Sequence, residues 1–205
     1  MATRGFTLIE LLIVVAIILI LMEIALPNLI EAQIRAKAAR VVSDMRTFSL
    51  AVESYALDWR RYPPYGRVDP GGAIQYPATT NSLSDLMAFV GAPITTPVGY
   101  LDSVPADLFA ENLDARSVLK QIEYLNLDQH VANFGPSPPP FASGLIPAWG
   151  QWRMVSAGPD GDRGADIKAN KVYSPTNGTR SDGDLVRCRR YQDNAQNPRL
   201  SPPET

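Results

Sequence analysis

The sequence predicts an α+β protein in which a long N-terminal helix, membrane-spanning in its first half, packs on a small antiparallel β-sheet with long loops. Two observations support this class. From Phe6 to Arg61 the apolar residues follow a helical pattern that only a proline interrupts. Beyond Pro63, short stretches of strand-like alternation are separated by segments rich in proline and glycine, which favours irregular connections between short strands.

The first half of the predicted helix is long enough to cross a bilayer. Residues Phe6–Leu26 are almost all apolar, and at about 1.5 Å per residue they span roughly 30 Å, the thickness of the hydrocarbon layer. Glu10 lies only four positions into this run. Because a charge in lipid costs a few kcal/mol or more, we expect Glu10 to have a function and a partner. Glu23, near the far end of the run, is expected to be solvated at the interface.

The short segment before the apolar run suggests what the partner of Glu10 is. A cut between Gly5 and Phe6 would create a free ammonium group on Phe6, and the terminus of a neighbouring subunit is better placed than the chain's own. A cleaved secretory signal fits poorly, because the candidate site at Ala25 has Glu23 two positions before it. A plain membrane anchor explains the hydrophobicity but neither Glu10 nor the short leader.

The second half of the helix carries a single apolar stripe. Pro27 removes an intrahelical hydrogen bond and predicts a kink or a locally melted turn. The stripe fits a coiled-coil seam or a face covered by a sheet, and we favour the sheet because the chain holds no second long heptad segment. The helix is predicted to stop at Tyr62-Pro63-Pro64. Apolar residues recur along it at steps of three and four: Ile30, Ile34, Ala38, Val41, Met45, Phe48, Val52, Tyr55 and Trp59.

The remaining chain predicts a domain of short elements. Ser82–Val90 has the pattern of a short helix with Ser82 as its N-cap. Strands are predicted at Ile122–Leu125, within Trp149–Ser156 and within Leu185–Tyr191. The polar, proline-rich residues 192–205 predict a mobile tail.

Composition excludes several functions. The formal net charge is −2, so nothing indicates a nucleic-acid partner. Cys188 is the only cysteine, which excludes an intrachain disulfide and predicts a small, partly buried residue. His130 is the only histidine, so the sequence offers neither a histidine cluster for zinc nor a clear catalytic constellation. We expect His130 in a loop or on the surface.

Residues Ser156–Ile167 form a second informative stretch, with Asp160, Asp162 and Asp166 interspersed with glycines. Carboxylate oxygens on a sharply turning backbone suit Ca²⁺, which takes about six to eight oxygen ligands. The spacing only partly matches an EF-hand loop and lacks its final glutamate. A Pro-Asp-Gly turn with solvated carboxylates is the alternative, and the spacing alone favours it. Asp182 and Asp184 are further candidate ligands, although a second turn is the favoured interpretation there.

The N-terminal sequence Gly5-Phe6-Thr7-Leu8-Ile9-Glu10, followed by an apolar helix, resembles the start of type IV pilins and type II secretion pseudopilins. This resemblance implies cleavage after Gly5 by a prepilin peptidase, N-methylation of Phe6 and filament assembly guided by Glu10. Type II secretion pseudopilins and type IV pilins share this arrangement of a short leader, a glycine before the cut and a glutamate after it.

Two internal segments are similar to the major pseudopilins of type II secretion. One is the connection Gly99-Tyr100-Leu101 to Pro105-Ala106-Asp107, in which Leu108 stands where the family usually has proline. The other is the aspartate loop, where the family binds calcium. With this resemblance added to the residue pattern, structural Ca²⁺ at Asp160, Asp162 and Asp166 becomes the favoured interpretation.

The resemblance implies a non-enzymatic filament subunit, specifically a major-pseudopilin-like protein of a type II secretion system. It would reside in the bacterial inner membrane as a single-pass protein with its C-terminal domain in the periplasm. Its partners would be copies of itself in a helical homo-oligomer, the prepilin peptidase, the inner-membrane assembly platform, minor pseudopilins and, before assembly, membrane lipid.

Two alternatives stay open. One is a type IV pilin that forms an extracellular surface fibre for adhesion or motility, although many such pilins close a C-terminal loop with a disulfide that Cys188 alone cannot form. The other is a membrane-anchored enzyme or binding protein. On the favoured hypothesis the chain divides into a prepilin leader (1–5), a transmembrane and filament-core half-helix (6–26), an amphipathic half-helix (27–62), a periplasmic domain (63–191) and a flexible tail (192–205).

Overall fold

A computed structural model of the chain describes residues 6–68, 74–75, 88–89, 92–110, 120–138, 144–161, 173 and 183–190. Within these ranges the chain forms one long helix, three short helices and two three-stranded antiparallel sheets. The predicted α+β class is confirmed. The predicted leader, the predicted tail and two of the predicted calcium ligands, Asp162 and Asp166, lie outside the described residues.

Helix α1 runs without interruption from Leu8 to Trp59 and contains 52 residues, which corresponds to a length of about 78 Å. Pro27 lies inside it, and helical residues continue on both sides. Arg60 ends the helix in a left-handed conformation with φ of 55°. The predicted long helix is therefore confirmed, and it ends just before the predicted Tyr62-Pro63-Pro64 stop.

The larger sheet consists of strands β4 (Glu123–Asn126), β5 (Trp152–Ser156) and β6 (Leu185–Cys188), in the order β4-β5-β6. In its register Tyr124 lies opposite Met154, and Val155 lies opposite Val186. All three predicted strands are confirmed, with β4 shifted by one residue. Strands β4 and β5 are buried along their whole length, so both of their faces are covered.

The smaller sheet is formed by β1 (Gly66–Val68), β2 (Ile74–Gln75) and β3 (Ala88–Phe89), in the order β2-β1-β3. The predicted helix at Ser82–Val90 is wrong at Ala88–Phe89, because these residues pair with β1 as a strand. The other residues of that prediction lie outside the described part of the chain. A short apolar run fits a helix or a strand equally well, and long-range pairing decides between them.

The hydrophobic core lies between the second half of α1 and the β4-β5-β6 sheet. Phe48 of the helix is completely buried, and its ring lies 5.9 Å from that of Tyr124 on β4. The stripe is not covered at its two ends, since Ile30 and Trp59 are 44% and 47% exposed. The predicted packing of the stripe on a sheet is confirmed for the buried residues Ala38, Val41, Met45, Phe48, Val52 and Tyr55.

Three short helices complete the described fold: α2 (Ala92–Thr95), α3 (Leu127–Ala132) and α4 (Leu145–Trp149). The expectation that His130 lies in a loop or on the surface is wrong. His130 is buried in α3, where its Nδ1 lies 3.3 Å from the Tyr65 hydroxyl and its ring meets the Phe134 ring edge to face. Cys188 is a free cysteine on β6 and is only 1% exposed, so it is buried more completely than the predicted partly buried residue.

Candidate functional site

The first half of α1 presents its apolar side chains all round, with nothing from the described part of the domain packed against them. The exposed fraction of the residue is 80% at Leu8, 47% at Val15 and 55% at Leu29. Within the described part of the chain, α1 is the helix that is long and apolar enough to cross a membrane. A helix that is hydrophobic all round needs a lipid or protein environment, so this half is built to be covered by something other than its own domain.

Glu10 is the charged group at the start of this exposed half, and it folds back on the helix N-terminus. Thr7 is the N-cap of α1, and its hydroxyl accepts a hydrogen bond from the Glu10 backbone N–H at 3.3 Å. The Glu10 carboxylate in turn accepts from the Thr7 backbone N–H at 2.9 Å and from the Thr7 hydroxyl at 2.7 Å. This reciprocal arrangement is a capping box, which satisfies backbone donors that a helix N-terminus leaves free.

The sequence-based prediction for Glu10 is a partner on another subunit, and the capping role at its own helix N-terminus is an additional finding of the structure. The signal was present, because Thr7-x-x-Glu10 is the Thr-x-x-Glu pattern of a capping box. The capping box holds the Glu10 carboxylate against Thr7, the residue that follows Phe6 in the chain. The acid is thus oriented toward the end of the helix where cleavage after Gly5 would leave an ammonium group.

The described start of the aspartate loop is a tight turn after β5. Gly158 and Gly161 have φ of 64° and 77°, a left-handed region that glycine adopts without strain, and the Gly161 N–H donates to the Gly158 carbonyl at 3.2 Å. A Cβ at Gly158 would lie 2.1 Å from the carbonyl oxygen of Gly183. Only glycine therefore permits the turn to pack against the backbone that leads into β6.

Asp160 lies in this turn, and Asp184 is buried in the segment against which the turn packs. Within the described ranges, no group of three or more histidine, cysteine, aspartate or glutamate residues could hold a metal ion. Asp162 and Asp166 lie outside those ranges. The described residues thus provide one exposed carboxylate, Asp160, on a sharply turning backbone beside the segment that leads into β6.

The packing of β6 on α1 places this turn along the helix. Arg187 donates from Nε to the Ser49 hydroxyl at 3.0 Å, and Arg189 pairs with Glu53 at 3.8 Å. Strand β6 and α1 therefore run in the same direction. Because Leu185 at the start of β6 lies opposite Ser156, the aspartate turn lies at the end of the sheet that faces the exposed half of α1.

The opposite end of the sheet holds a polar cluster around Glu53 that is not among the predicted sites. Its carboxylate accepts from Trp152 Nε1 at 2.8 Å and from the Tyr62 hydroxyl at 3.1 Å, and it pairs with Arg189. The Arg189 guanidinium also lies 5.5 Å from the Tyr62 ring centre. The cluster connects the end of α1 to β5 and to the end of β6. No local sequence pattern shows it, because Glu53 and Arg189 are 136 positions apart along the chain.

Comparisons with known proteins agree with this geometry. The family model for the prokaryotic N-terminal methylation motif matches residues 1–25. Type II secretion system core protein G of Escherichia coli K12 is 28% identical over 170 residues, which cover 80% of this chain and 86% of that protein. The protein of the same name from Klebsiella pneumoniae is 32% identical over 111 residues, 51% of this chain and 67% of the relative.

A pilin is also among the relatives. The type IV major pilin protein PilA of Myxococcus xanthus is 45% identical over 62 residues, which cover 30% of this chain and 28% of that protein. No solved structure gives a significant match. Three findings point to the same family: the methylation motif, the exposed apolar half-helix and the match that spans most of the core protein G sequence. It belongs to the family of type IV pilins and type II secretion pseudopilins, and within that family it is similar to type II secretion system core protein G.

Proposed function

We propose that this chain is a structural subunit of a helical pilus-like filament and acts as the major pseudopilin of a type II secretion system. The observation that carries the proposal is the exposed apolar half of α1, which is joined through one continuous helix to a folded domain. Lipid covers such a surface before assembly, and the same half-helix of other copies covers it afterwards. The role is mechanical, since a filament subunit acts by exchanging one apolar environment for another.

The extent of the similarity favours a pseudopilin over a surface pilin. The match to the Myxococcus pilin covers 62 residues, about as many as the leader and α1 together contain. The match to core protein G of Escherichia coli covers 170 residues and therefore includes most of the domain. A shared helix is expected of any member of this family, whereas a shared domain points to a shared role.

The proposed assembly step depends on Glu10 and on cleavage after Gly5. Prepilin peptidase would release the leader and expose the ammonium group of Phe6, which is then methylated. In the membrane, the assembly platform would bring an incoming subunit against the growing filament, with minor pseudopilins as further partners. Pairing of Glu10 with the Phe6 ammonium of a neighbour would offset the cost of a carboxylate in an apolar environment.

Processing is tested by co-expression with a prepilin peptidase followed by intact mass spectrometry of the membrane fraction. We expect a mature chain that begins at Phe6 and carries one added methyl group. Gly5→Glu should leave the precursor uncut, whereas the control Gly5→Ala keeps a small residue and should be processed. A wild-type chain that keeps Met1 in peptidase-competent cells would rule out this proposal.

Assembly is tested by the substitution Glu10→Val in a cell that overproduces the secretion system. We expect normal membrane insertion, because a costly acid is removed from the apolar run, and few or no filaments by electron microscopy of sheared cells. The matched control is Glu23→Gln, which removes the second acid of the exposed run and should leave filaments intact. Filaments at wild-type abundance in Glu10→Val would show that the pairing is not needed. Long fibres outside the cell would favour the surface-pilin alternative.

The proposed orientation places the domain in the periplasm. It follows from the family role, since a pseudopilus must push substrates outward from the inner membrane. Alkaline phosphatase fused after residue 205 should be active, and a fusion made after Arg4 should be inactive. The reverse pattern would contradict the orientation.

We also propose that the aspartate loop binds a structural calcium ion through Asp160, Asp162 and Asp166. The turn at Gly158–Gly161 supports the proposal, because it holds the Asp160 carboxylate on a tightly bent backbone next to β6. A polar, glycine-rich loop buries little apolar surface to offset the entropy of ordering it. Because Cys188 is the only cysteine, no disulfide can restrain the loop, and a cation would take that role.

Calcium is tested by thermal unfolding of the full chain in detergent micelles, with calcium or with chelator. At a hundredfold excess over its dissociation constant, a ligand that binds only the folded state adds about 2.7 kcal/mol. We expect the melting temperature to fall in chelator, and Asp160→Ala or Asp166→Ala to remove the calcium response. Identical melting curves in calcium and chelator would mean that the aspartates only line a turn.

A further inference from the structure

Asp107 is a buried carboxylate in the connection that follows α2, and its position is fixed by hydrogen bonds. It is 4% exposed. Its Oδ1 accepts from the Ser156 hydroxyl at 2.6 Å and from the Phe109 N–H at 3.1 Å, and its Oδ2 accepts from the Ala157 N–H at 2.8 Å. The Asp107 backbone is also held, since its N–H donates to the Lys120 carbonyl at 2.6 Å. A carboxylate desolvated to this extent is stable only when its oxygens are used, as they are here.

Two of the three donors lie where the aspartate turn begins. Ser156 is the last residue of β5, Ala157 follows it, and Gly158 opens the turn that carries Asp160. The turn is therefore held from two sides. Asp107 fixes the two residues that lead into it, and the Gly183 carbonyl, 2.1 Å from where a Gly158 Cβ would lie, limits its movement on the other side.

We propose that Asp107 is a positioning residue for the cation-binding loop: it holds Ser156 and Ala157 so that the loop leaves β5 in the conformation that a calcium ion requires. The inference rests on the calcium site proposed above. Asp107 acts through the backbone of residues 156–158 and needs no contact with the ion. A loop that is already ordered at its base loses less conformational entropy when it closes around a ligand, and this raises its affinity.

The substitution Asp107→Asn tests this role because it keeps the size of the side chain and removes one acceptor. An asparagine has one carbonyl oxygen, so its NH₂ group would face either the Ser156 hydroxyl or the Ala157 N–H, donor against donor. Titration of calcium chloride into the full chain in detergent micelles, followed by calorimetry, gives the dissociation constant. We expect the constant to rise about tenfold, because the loop base would then have to be ordered at the moment calcium binds.

A second pair of variants covers the case in which Asp107→Asn does not fold. Ser156→Ala removes one donor and should weaken calcium binding about threefold, which is less because the Ala157 contact remains. Ser156→Thr keeps the hydroxyl and should keep the wild-type dissociation constant for calcium, although the extra methyl group at this completely buried position should lower the melting temperature.

Leu127→Ala controls for a general loss of stability. Leu127 is completely buried, and its N–H donates to the Gln151 carbonyl near the end of β5 that lies away from Ser156. Leu127→Ala should lower the melting temperature in chelator without changing the calcium dissociation constant. Wild-type affinity in both Asp107→Asn and Ser156→Ala would overturn the positioning role and leave the calcium site standing. A wild-type chain that binds no calcium would overturn both.

Discussion

The two halves of α1 have the same backbone conformation and opposite surroundings. In the first half every large apolar side chain is exposed, including Leu12 and Ile18 at 61% and 48%. In the second half Val41, Phe48 and Val52 are completely buried against the sheet. The helix itself is continuous across both halves, so the difference lies in the side chains and in what covers them.

The arrangement of the apolar residues accounts for this difference. In the second half they recur at every third or fourth position with charged residues between them, which gives one buried face and one solvated face. In the first half they surround the helix, so that no single sheet could cover them. The domain thus stabilises one half of α1, and lipid or neighbouring copies must stabilise the other. Substitutions in the two halves should therefore affect different measurements.

The largest expected effect is on the core under the second half. Phe48→Ala should lower the free energy of unfolding by about 3–5 kcal/mol, because it removes a buried ring and leaves a cavity beside Tyr124. Its matched control is Leu50→Ala, two residues away on the same helix but 69% exposed, which should change stability by less than about 0.5 kcal/mol. Denaturant unfolding of the full chain in micelles, followed by near-ultraviolet circular dichroism, measures both. Equal effects would mean that the sheet does not cover this face in solution.

A smaller effect is expected at the Glu53 cluster. Glu53→Gln keeps the size of the side chain but removes the charge that pairs with Arg189 and accepts from Trp152. We expect a loss of about 1–2 kcal/mol, since hydrogen bonds to a charged group are worth more than neutral ones and this group is partly solvated. Glu31→Gln breaks the exposed Glu31–Arg35 pair at 3.1 Å and should cost at most about 0.5 kcal/mol. If the two variants are equally stable, the cluster does not fasten the end of the helix.

The same cluster predicts a dependence of stability on alkaline pH. Burial raises the pKa of Tyr62 to about 12, with the Glu53 carboxylate adding to the rise and the Arg189 guanidinium opposing it. An unfolded tyrosine has a pKa of about 10. The folded state thus holds the proton more tightly, so the contribution is complete below pH 10 and is lost as the pH rises toward 12. Tyr62→Phe should show a shallower loss of stability over this range than the wild type, and parallel curves would exclude Tyr62 as the group responsible.

Much of the fold could be predicted from the sequence because its signals are local. The stripe from Ile34 to Tyr55 and the three strands of the larger sheet follow from periodicity alone. The smaller sheet has strands of two or three residues, too short to show a period, so the apolar pattern around Ala88–Phe89 predicts a helix instead of the strand. A lone histidine carries no periodic signal, and the burial of His130 is decided by its long-range contact with Tyr65.

The candidate sites show the same limit. Glu10 and the Asp160 loop are conspicuous in the sequence because their residue types are unusual for their surroundings, and their roles in assembly and calcium binding stay predictions. In the sequence Asp107 belongs only to a segment that resembles the family, because its contact with Ser156 spans 49 positions along the chain. Carboxylates that act through a long-range hydrogen bond leave no mark on the local sequence, so a structure is needed to find them.

The smallest expected effect on folding is at the free end of α1, and it distinguishes the two halves most clearly. Thr7→Ala removes the hydroxyl that accepts from the Glu10 N–H and donates to its carboxylate. Loss of an N-cap costs about 0.5–2 kcal/mol of local helix stability, so amide exchange at Glu10 should accelerate about tenfold in micelles, while Thr7→Ser should retain the wild-type rate. The free energy of unfolding of the domain should stay within about 0.3 kcal/mol of the wild type, because the first turn opens without the rest of the chain. A fall in global stability comparable to that of Glu53→Gln would mean that the exposed half and the domain unfold as one unit, and the division of α1 into two independently stabilised halves would be wrong.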